Sequence, residues 1–554
     1  MSKRTAAALM ITRGDGAERT VFLAERSPEL RFFGGYWAMP GGTLSDSDLQ
    51  LEPQAAAASR APDRDAADPR SEDQALQVCA HRELFEELGL LRHRLPAERT
   101  ADDGLRQLRQ QLLAHELAER TAKKGARSQT AGTQGTGDGL LEPLPPPCPW
   151  PDIIAGTTTP LPLRELCRIE TPAFAPVRYD TVFYHVPLED CVDGTAGVHP
   201  DIWDGELTQG RFWLPEQALA SWRNGDLMLV PPVVIMLEHL ARAADFEHFA
   251  QNIAGTANGY RSGRLHKVRF SPGIVLAPLR TPTLPPATTT NCYLVGHEKI
   301  WIIDPGSPDA TEQQRLLDLL DELTANGQEL AGVLLTHHHP DHTGGVLALC
   351  QARNLKAYGH PETLARLHAD VPRGGEVLDG DHLELGRAPD GTTGWTLQAI
   401  FTPGHDRGHL CFRESRYGAM IAGDMLSTVS SIIIDPPEGH LRTYLNSLER
   451  LQQFAMSTLY PAHGPALRDG QRLVAKYLRH RRQREAVLTK TLGELSSASI
   501  EELLPKVYWD ADPRLYPFAA RSLQAGLDKL VEDGVARLFA EDGDNAAPRW
   551  QLQS

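Results

Sequence analysis

A histidine-rich segment in the second half of the chain constrains its fold more than any other feature. Residues 336–345 read Thr-His-His-His-Pro-Asp-His-Thr-Gly-Gly and directly follow an apolar run at residues 333–335. A strand that ends in a tight loop can direct the polar side chains of that loop into one cleft. Imidazole and carboxylate groups are ligands that zinc prefers. The loop therefore predicts ligands for two metal ions, supplied by His337, His339, Asp341 and His342.

Three more candidate ligands occur downstream in similar settings. His405 ends Thr-Pro-Gly-His, Asp424 ends Ile-Ala-Gly-Asp, and His463 lies in Tyr-Pro-Ala-His-Gly-Pro. Each follows an apolar segment beside glycine or proline, as expected where a strand delivers a ligand to the edge of an active site. We expect His338 and His409 to have structural roles rather than to bind metal directly.

The order of these residues resembles the metallo-β-lactamase superfamily over residues 271–469, and Asp304 in Asp-Pro-Gly looks like its upstream Asp-x-Gly turn. The resemblance implies an αββα sandwich that binds two Zn²⁺ ions. It also implies that Asp341 both ligates zinc and orients a metal-bound hydroxide, which hydrolyses the substrate without a covalent enzyme intermediate. The implied ligands are His337, His339 and His405 for one ion, Asp341, His342 and His463 for the other, and Asp424 as the bridge.

Finer details resemble the β-lactamase-like-protein-2 group. They are residues 290–296 (Thr-Asn-Cys-Tyr-Leu-Val-Gly), residues 460–465, and a basic stretch at residues 479–485. In that group the tail is a winged-helix-like domain, and members cleave single-stranded RNA. The arginines of the basic stretch could contact phosphates, but we favour a solvated basic helix face. The substrate stays open between a phosphodiester, including one in RNA, and a thioester.

An acidic helix is the main feature of the first half. Residues 82–90 read Arg-Glu-Leu-Phe-Glu-Glu-Leu-Gly-Leu, and on a helix Glu83, Glu86 and Glu87 share one face. Their repulsion is costly unless a cation compensates it. Magnesium takes hard oxygen ligands and suits a carboxylate face beside a diphosphate. The pattern predicts a site for Mg²⁺ or Mn²⁺ on these three glutamates.

Together with Arg82 and the upstream turn at residues 39–42 (Met-Pro-Gly-Gly), this helix resembles the Nudix box. The resemblance implies an α/β/α sandwich in which the same glutamates are catalytic and a pyrophosphate bond is cleaved. An insertion of roughly thirty residues interrupts the box, and Gln74 stands where the box has a glutamate. Such an interruption resembles the Nudix-19 group, whose members hydrolyse coenzyme A and its acyl esters. Glu206 is a candidate late base, but we favour an ordinary loop carboxylate.

The organisation of the chain follows from its length and its breaks in composition. At 554 residues it is too long for one hydrophobic core. We expect an α/β and α+β multidomain protein with a Nudix-like domain, a linker, a metallo-β-lactamase-fold domain and a small winged-helix-like domain. Their expected bounds are residues 1–254 with insertions near 45–73 and 121–153, then 255–268, 269–470 and 471–554.

Charge and cysteine content restrict the partners. With 56 basic and 72 acidic residues the net charge is −16, which argues against charge-driven coating of nucleic acid or membrane. No apolar run approaches the roughly 18 residues that a membrane span needs, so we expect no membrane partner. The seven cysteines are scattered and form no Cys-x-x-Cys pair, which suits a cytoplasmic protein. The sequence specifies no oligomeric state.

Three functional hypotheses follow. The leading one is a dinuclear zinc hydrolase that acts on a phosphodiester or a thioester and is fused to a Nudix-type diphosphate hydrolase. Its expected partners are small molecules such as a nucleoside diphosphate derivative or acyl-coenzyme A, and single-stranded RNA. A second is an acyl-coenzyme A-processing enzyme that combines a thioesterase site and a coenzyme A diphosphatase site. In a third, the Nudix-like domain is a nucleotide-binding module without catalytic activity.

Overall fold

The computed structural model describes residues 3–30, 33–49, 69–94, 107, 109–115, 159–175, 177–191, 199–202, 205–325, 327–539 and 548–553. The chain forms two compact units. The N-terminal unit contains Met1–Thr171, Val177–Trp222 and Asp226–Gly263, and the C-terminal unit contains Pro172–Pro176, Arg223–Gly225 and Arg264–Ser554. None of the helices in the described ranges combines the length and hydropathy needed to cross a bilayer.

The N-terminal unit is built on one seven-stranded sheet with the order β3-β2-β1-β8-β7, to which β4 and β9 add at β1 and β2. Strands β1 and β8 are parallel, whereas β7 and β8 are antiparallel. The strands of this unit, including a separate β5–β6 pair, are β1 (Lys3–Arg13), β2 (Thr20–Arg26), β3 (Trp37–Ala38), β4 (Gly41–Thr43), β5 (His93–Arg94), β6 (Thr159–Pro160), β7 (Arg164–Glu170), β8 (Arg178–Pro187) and β9 (Leu207–Trp213).

Alternation of apolar residues along the strands gives this sheet two buried faces. In β1, Leu9 and Ile11 pack on the face that helix Pro69–Leu88 covers, whereas Ala8 and Met10 pack on the opposite face. The result is the α/β/α sandwich that the sequence predicted. The helices of this unit are α1 (Asp46–Leu49), α2 (Pro69–Leu88), α3 (Pro215–Asn224), α4 (Pro231–Arg242) and α5 (Phe246–Arg261).

The segment expected to be a linker begins inside a helix. Helix α5 continues to Arg261, so residues 255–261 of this segment are helical. Ala257 is buried in the same hydrophobic cluster as Phe249 and Ile253, and this packing outweighs the weak helix propensity of the glycines. The helix ends where Gly263 takes a positive φ of 102°.

The C-terminal unit contains two six-stranded sheets. The first has the order β10-β11-β12-β13-β14-β15 and the second the order β16-β17-β18-β19-β20-β21. Their bounds are β10 (Ile274–Arg280), β11 (Thr289–Val295), β12 (Lys299–Ile303), β13 (Glu329–Leu334), β14 (Ala357–Gly359), β15 (Arg373–Glu376), β16 (His382–Gly386), β17 (Trp395–Phe401), β18 (Leu410–Glu414), β19 (Ala419–Gly423), β20 (Thr458–Pro461) and β21 (Leu467–Arg468).

The two sheets pack face to face with helices outside. Trp301 and Ile303 of β12 point into the core between the sheets, where they meet Leu397 and Phe412. The outer face of the first sheet packs against the helix that carries Leu316. This arrangement is the expected αββα sandwich. Its helices are α6 (Ala310–Thr324), α7 (Pro340–Thr343), α8 (Val346–Arg353), α9 (Pro361–Ala365) and α10 (Leu441–Leu451).

A small helical domain with a terminal hairpin completes the C-terminal unit. A capping box at Ser499 starts the second of its helices, with the Glu502 carboxylate accepting the Ser499 N–H at 2.9 Å. The third helix buries an apolar stripe of Leu523, Leu527 and Leu530. The elements are α11 (Gly470–Leu495), α12 (Ile500–Val507), α13 (Tyr516–Glu532), β22 (Ala536–Phe539) and β23 (Arg549–Leu552).

Candidate metal centre and acidic helix

The predicted metal ligands lie on loops that leave the carboxyl ends of strands from both sheets. The histidine-rich loop follows β13, and the other three ligand loops follow β17, β19 and β20. Because these strand ends meet at one edge of the sandwich, side chains far apart in sequence converge. The structure brings all seven together, as His337, His339, His405, Asp341, His342, His463 and Asp424.

Three histidines form what we call the first cluster. Nε2 of His337 lies 2.9 Å from Nδ1 of His339, and Nε2 of His405 lies 3.1 Å from the same Nδ1. Together with Asp424, their ligand atoms all lie within 4.8 Å of one another. The cluster can therefore surround a single ion.

Asp341, His342 and His463 form the second cluster. Oδ2 of Asp341 lies 3.5 Å from Nε2 of His463 and 3.9 Å from Nε2 of His342. These three ligand atoms also lie within 4.8 Å of one another. Adjacent positions on α7 thus supply two groups to this cluster, and the loop after β20 supplies the third.

Asp424 presents one carboxylate oxygen to each cluster. Its Oδ2 lies 3.5 Å from Nε2 of His405 in the first cluster. Its Oδ1 lies 3.3 Å from Nε2 of His463 and 3.6 Å from Nε2 of His342 in the second. The side chain therefore has the geometry of a bridge between two ions.

The donor set fits zinc. Four-coordinate zinc with bonds of about 2.0–2.1 Å separates its ligand atoms by about 3.3 Å, and the contacts above range from 2.9 to 3.9 Å. Nε2 of His342 and Oδ1 of Asp424 are buried and make no hydrogen bond within the described residues. A buried polar atom without a partner is costly, and a cation between these atoms would satisfy both.

Asp304 fixes the orientation of two ligand histidines. Its Oδ2 accepts the Nδ1–H of His342 at 2.8 Å and the hydroxyl of Thr336 at 2.6 Å. The Thr336 oxygen in turn accepts the Nδ1–H of His337 at 3.0 Å. Both imidazoles thereby carry their proton on Nδ1 and turn the lone pair of Nε2 toward the clusters.

Backbone carbonyls orient two further ligands. His405 donates its Nδ1–H to the Ile433 carbonyl at 2.9 Å, and His463 donates its Nδ1–H to the Thr289 carbonyl at 3.0 Å. In both rings Nε2 is the atom that faces the cluster. The same tautomer is therefore imposed on His337, His342, His405 and His463.

Burial and neighbouring charge set the protonation of the centre. Burial, with His342 nearby, places the pKa of His337 well below its usual value, and burial with His405 lowers the pKa of His339 to about 4. Burial opposes the charged form of Asp424, but His463 and His342 hold its pKa well below the usual range. Burial also opposes the charged forms of His342 and His463, but Asp341 raises the pKa of His342 well above its usual value and Asp424 raises that of His463. A cation bound beside these carboxylates would take up the Nε2 lone pairs in place of protons.

The two histidines expected to be structural have partners outside the clusters. His409 accepts the backbone N–H of Asp424 on Nε2 at 3.1 Å and donates its Nδ1–H to Thr402 at 2.9 Å. Both ring nitrogens of His409 are thus in use. His338 is ion-paired with the buried carboxylate of Asp406. Sequence reasoning did not identify Asp406, which lies directly after His405.

Close backbone packing holds the histidine-rich loop in place. A side chain at Gly306 would overlap the carbonyl oxygen of Asp341, and one at Gly345 would approach the carbonyl oxygen of Pro305. The turn after β12 therefore lies directly against α7. Thr290 adds a hydrogen bond from its hydroxyl to Oδ2 of Asp341 at 3.3 Å.

The glutamates of the acidic helix lie near the glycine turn, but two of them form ion pairs with an arginine. Arg82 contacts Glu83 at 2.9 Å and Glu86 at 3.0 Å, and all three side chains are buried. A side chain at Gly42 would overlap the Glu83 carboxylate, which explains the glycine there. Among the described residues, the three predicted magnesium ligands do not form a group with ligand atoms within 4.8 Å.

Glu87 is the glutamate that faces the glycine turn. Its Oε2 accepts the N–H of Gly41 at 2.8 Å. Burial raises its pKa well above the usual value, and the nearby charges of Glu83 and Glu206 add to this effect. The Glu206 carboxylate therefore lies close to the acidic face, where a late base would be placed, although the sequence favoured an ordinary loop carboxylate.

Asp48 is a functional neighbour that sequence reasoning missed. It binds the Arg82 guanidinium through two hydrogen bonds of 2.9 and 3.0 Å, while Gln74 is exposed. Asp48 thus supplies a carboxylate beside Arg82 that Gln74 does not. Its position in α1, within the insertion, gave no sequence signal of this contact.

The basic stretch of the tail is less exposed than expected. Arg481 is buried, and Arg484 is paired with Asp510 at 2.9 Å. Arg482 is exposed and contacts Glu449 at 2.8 Å. The interpretation as a uniformly solvated basic face is therefore wrong for Arg481, because this residue packs against the sandwich domain.

Comparison with known proteins finds three family matches along the chain. The NUDIX domain matches residues 1–118, the Metallo-beta-lactamase superfamily matches residues 285–463, and the Beta-lactamase associated winged helix domain matches residues 499–546. These matches confirm the three resemblances that the sequence motifs indicated.

Curated relatives match the C-terminal half. The lactamase-like protein adaB of Aspergillus niger is 32% identical over 278 residues, which cover 47% of this chain and 80% of the relative. The atrochrysone carboxyl ACP thioesterase of Claviceps purpurea is 30% identical over 40% of this chain and 67% of its own length. The beta-lactamase-like protein 2 homolog of Caenorhabditis elegans is 28% identical over 44% and 80%.

The motif order, the sandwich fold and the relatives agree with one another. The chain is a hydrolase that belongs to the metallo-β-lactamase superfamily and carries a NUDIX domain before, and a lactamase-associated winged-helix domain after, its lactamase-type segment.

Proposed function

We propose that the metal centre holds two zinc ions and hydrolyses an acyl thioester. The observation that carries this proposal is the placement of Asp424, whose two oxygens face the two ligand clusters at 3.3 to 3.6 Å. A carboxylate placed in this way supports two ions close enough to act on one substrate.

Each ligand has a defined task in this proposal. Zinc, when bound, supplies a Lewis acid and lowers the pKa of water to roughly 7. The first cluster would hold one ion and the second cluster the other, with Asp424 shared. Asp341 would also orient the attacking water, since its carboxylate is the more exposed of the two in the centre and is positioned by the Thr290 hydroxyl.

A thioester is the substrate class that the observations favour. One relative is named as an acyl carrier protein thioesterase, and the match covers 67% of its length. The net charge of −16 disfavours a long polyanion, and the tail arginines Arg481, Arg482 and Arg484 already have partners within the protein. A phosphodiester in RNA is therefore the less favoured candidate.

We further propose that the N-terminal unit cleaves the diphosphate of coenzyme A or a related nucleoside diphosphate derivative. Glu83, Glu86 and Glu87 would bind Mg²⁺ or Mn²⁺ when substrate supplies further oxygen ligands. The high pKa of Glu87, which burial and Glu83 produce, is the feature expected of an acidic face that a cation must neutralise. The alternative is a nucleotide-binding module without turnover.

These activities are assigned to residues 269–470 and 1–254, with residues 471–554 as a winged-helix-like domain. Together they would make the chain an acyl-coenzyme A-processing enzyme. We also propose a cytoplasmic location, because the six cysteines within the described ranges are free.

A substrate panel with the full-length chain tests both assignments. The panel contains acyl-coenzyme A, free coenzyme A and single-stranded RNA, with thiol release and diphosphate cleavage measured separately. We expect Asp424→Asn to reduce thiol release strongly and leave diphosphate cleavage unchanged. We expect the double change Glu86→Gln with Glu87→Gln to reduce diphosphate cleavage strongly and leave thiol release unchanged. Asp321→Asn, on the exposed surface of α6, is the matched control for the first variant.

The panel also separates the alternatives. Cleavage of RNA without thiol release would overturn the thioester assignment. Nucleotide binding with no magnesium-dependent turnover would show that the N-terminal unit is a binding module.

A further inference from the structure

One loop connects the bridging position of the metal centre to a ligand histidine. Residues 425–434, which we call the support loop, begin directly after Asp424. Near the other end of the loop, the carbonyl of Ile433 accepts the Nδ1–H of His405 at 2.9 Å. Oδ2 of Asp424 and Nε2 of His405 lie 3.5 Å apart. The shape of the support loop therefore determines how these two side chains meet.

Tyr477 of α11 holds the first part of the support loop. Its hydroxyl accepts the N–H of Ser427 at 3.1 Å and donates to the carbonyl of Ser430, 2.7 Å away. The Ser427 hydroxyl, in turn, lies 3.1 Å from that of Ser430. A single buried phenol thus fixes the turn that follows the bridging aspartate.

Arg481, one helical turn further along α11, holds the second part. Its guanidinium donates a hydrogen bond to the carbonyl of Ile432, next to the carbonyl that orients His405. The side chain is buried, and its guanidinium carbon lies 5.3 Å from the centre of the Tyr444 ring. Tyr444 donates its hydroxyl to the carbonyl of Met425 at 2.8 Å. Through Tyr444, Arg481 is therefore also connected to the start of the loop.

Helix α13 of the winged-helix domain contacts the end of the support loop. The N–H of Ile434 donates to the hydroxyl of Ser522 at 3.3 Å, and Asp435 is ion-paired with Arg521. Apolar residues of the loop, of α11 and of α13 belong to one hydrophobic cluster. Its members from these three segments are Met425, Leu426, Ile432, Ile434, Leu473, Val474, Tyr477, Leu478 and Ala525.

From these contacts we infer that Tyr477 and Arg481 are positioning residues for the metal centre, and that they set the zinc affinity of the first cluster through the support loop. The inference rests on the proposed function, because it requires that the clusters bind zinc. It assigns the C-terminal helices a role in maintaining the hydrolase site, in addition to any binding role of their own.

The expected size of the effect follows from the position of the contacts. Groups that orient metal ligands without touching the ion alter metal affinity by about 10–100-fold when they are removed. Tyr477 and Arg481 act through one more element, the loop backbone, so we expect the lower end of this range. The first cluster should respond more than the second, since the Ile433 carbonyl of the support loop bonds the ring of His405. The loop reaches His463 through its backbone, where the Ser427 hydroxyl donates to the His463 carbonyl at 3.4 Å, while the His463 ring bonds to Thr289.

The test measures zinc affinity at each cluster in the full-length chain by competition with a chelator. His463→Ala disables the second cluster and reports on the first, and His405→Ala does the reverse. Arg481→Met and Tyr477→Phe are introduced into both backgrounds. Arg482→Met is the matched control, because Arg482 lies beside Arg481 on α11 but is exposed and pairs with Glu449 on the protein surface.

We expect about tenfold weaker zinc binding at the first cluster for Arg481→Met and Tyr477→Phe, and a smaller change at the second. The visible absorption of the cobalt-substituted protein should also change, which a general loss of stability would not produce. The control should match the parent protein. If Arg481→Met does not fold, Tyr477→Phe carries the test alone, since it removes only one oxygen atom.

Two outcomes contradict the inference in distinguishable ways. A parent chain that binds no zinc overturns the proposed function and this inference together. A parent chain that binds two zinc ions, with affinities and cobalt spectra unaltered in Arg481→Met and Tyr477→Phe, overturns the inference and leaves the proposed function intact.

Discussion

The buried guanidinium of Arg82 depends on carboxylates from two separate segments. Asp48 binds one side of it with two hydrogen bonds, and Glu83 and Glu86 of its own helix contact the other. Asp48 is also completely buried. The ion pair between Arg82 and Asp48 therefore connects the insertion to the acidic helix.

We predict that Asp48→Ala lowers the free energy of unfolding of the N-terminal unit by about 3 kcal/mol, since it leaves a buried charge with less compensation. Amide hydrogen exchange of the full-length chain measures this effect in peptides from α2. The control is Asp15→Ala, whose exposed pair with Arg19 should contribute less than about 1 kcal/mol. Equal protection factors for Asp48→Ala and wild type would contradict the prediction.

Asp424 is the side chain on which both clusters depend. We predict that Asp424→Asn reduces kcat/KM by about 100-fold, because an amide cannot offer an anionic oxygen to each of two ions. The fold should persist, since Asp424 lies on a ligand loop and not in the apolar strands. Steady-state kinetics alongside circular dichroism checks both parts, and a fully active, folded variant would refute the assignment.

Sequence spacing predicted which candidate ligands converge better than it predicted their supports. The candidates between His337 and His463 could be singled out because each follows an apolar strand beside glycine or proline. Asp304 was found through the family motif, although its bonds to Thr336 and His342 were not. Asp48, Asp406 and Arg481 gave no signal, since their roles depend on partners brought together only by tertiary packing.

At the scale of elements, helix α5 shows how packing overrides local composition. Residues 255–263 are small, polar and interrupted by glycine, which predicted a linker. The buried positions Phe249, Ile253 and Ala257 instead recur on one face and keep the helix continuous to Arg261. The strands and the acidic helix were predictable because their apolar periodicity agrees with their packing.

The helical state of Gly255 leads to a test with a built-in control. Its surroundings are open, so we predict that Gly255→Ala stabilises α5 by about 1 kcal/mol. Gly263→Ala should instead destabilise the end of the helix, because φ there is +102°. Hydrogen exchange of peptides from α5 should show greater protection in Gly255→Ala and less in Gly263→Ala. Unchanged protection in both variants would indicate a linker rather than a helix.

At the scale of the whole molecule, we propose that the chain combines two units that prefer different metals. The metal centre of the C-terminal unit offers imidazoles and a shared carboxylate, which suit zinc, while the acidic helix of the N-terminal unit offers carboxylates, which suit magnesium. The family order was predictable because each domain carries its own motif. The contacts by which the winged-helix domain holds the support loop were not predictable, because they join helices and a loop that are distant in sequence.

The central claim is that seven side chains hold two zinc ions with Asp424 between them. The most direct measurement is anomalous diffraction at the zinc edge from crystals of the full-length chain grown with zinc. We predict two peaks, one enclosed by His337, His339 and His405 and the other by Asp341, His342 and His463, each adjacent to a different oxygen of Asp424. A single peak away from Asp424, or no peak at either cluster, would contradict the account.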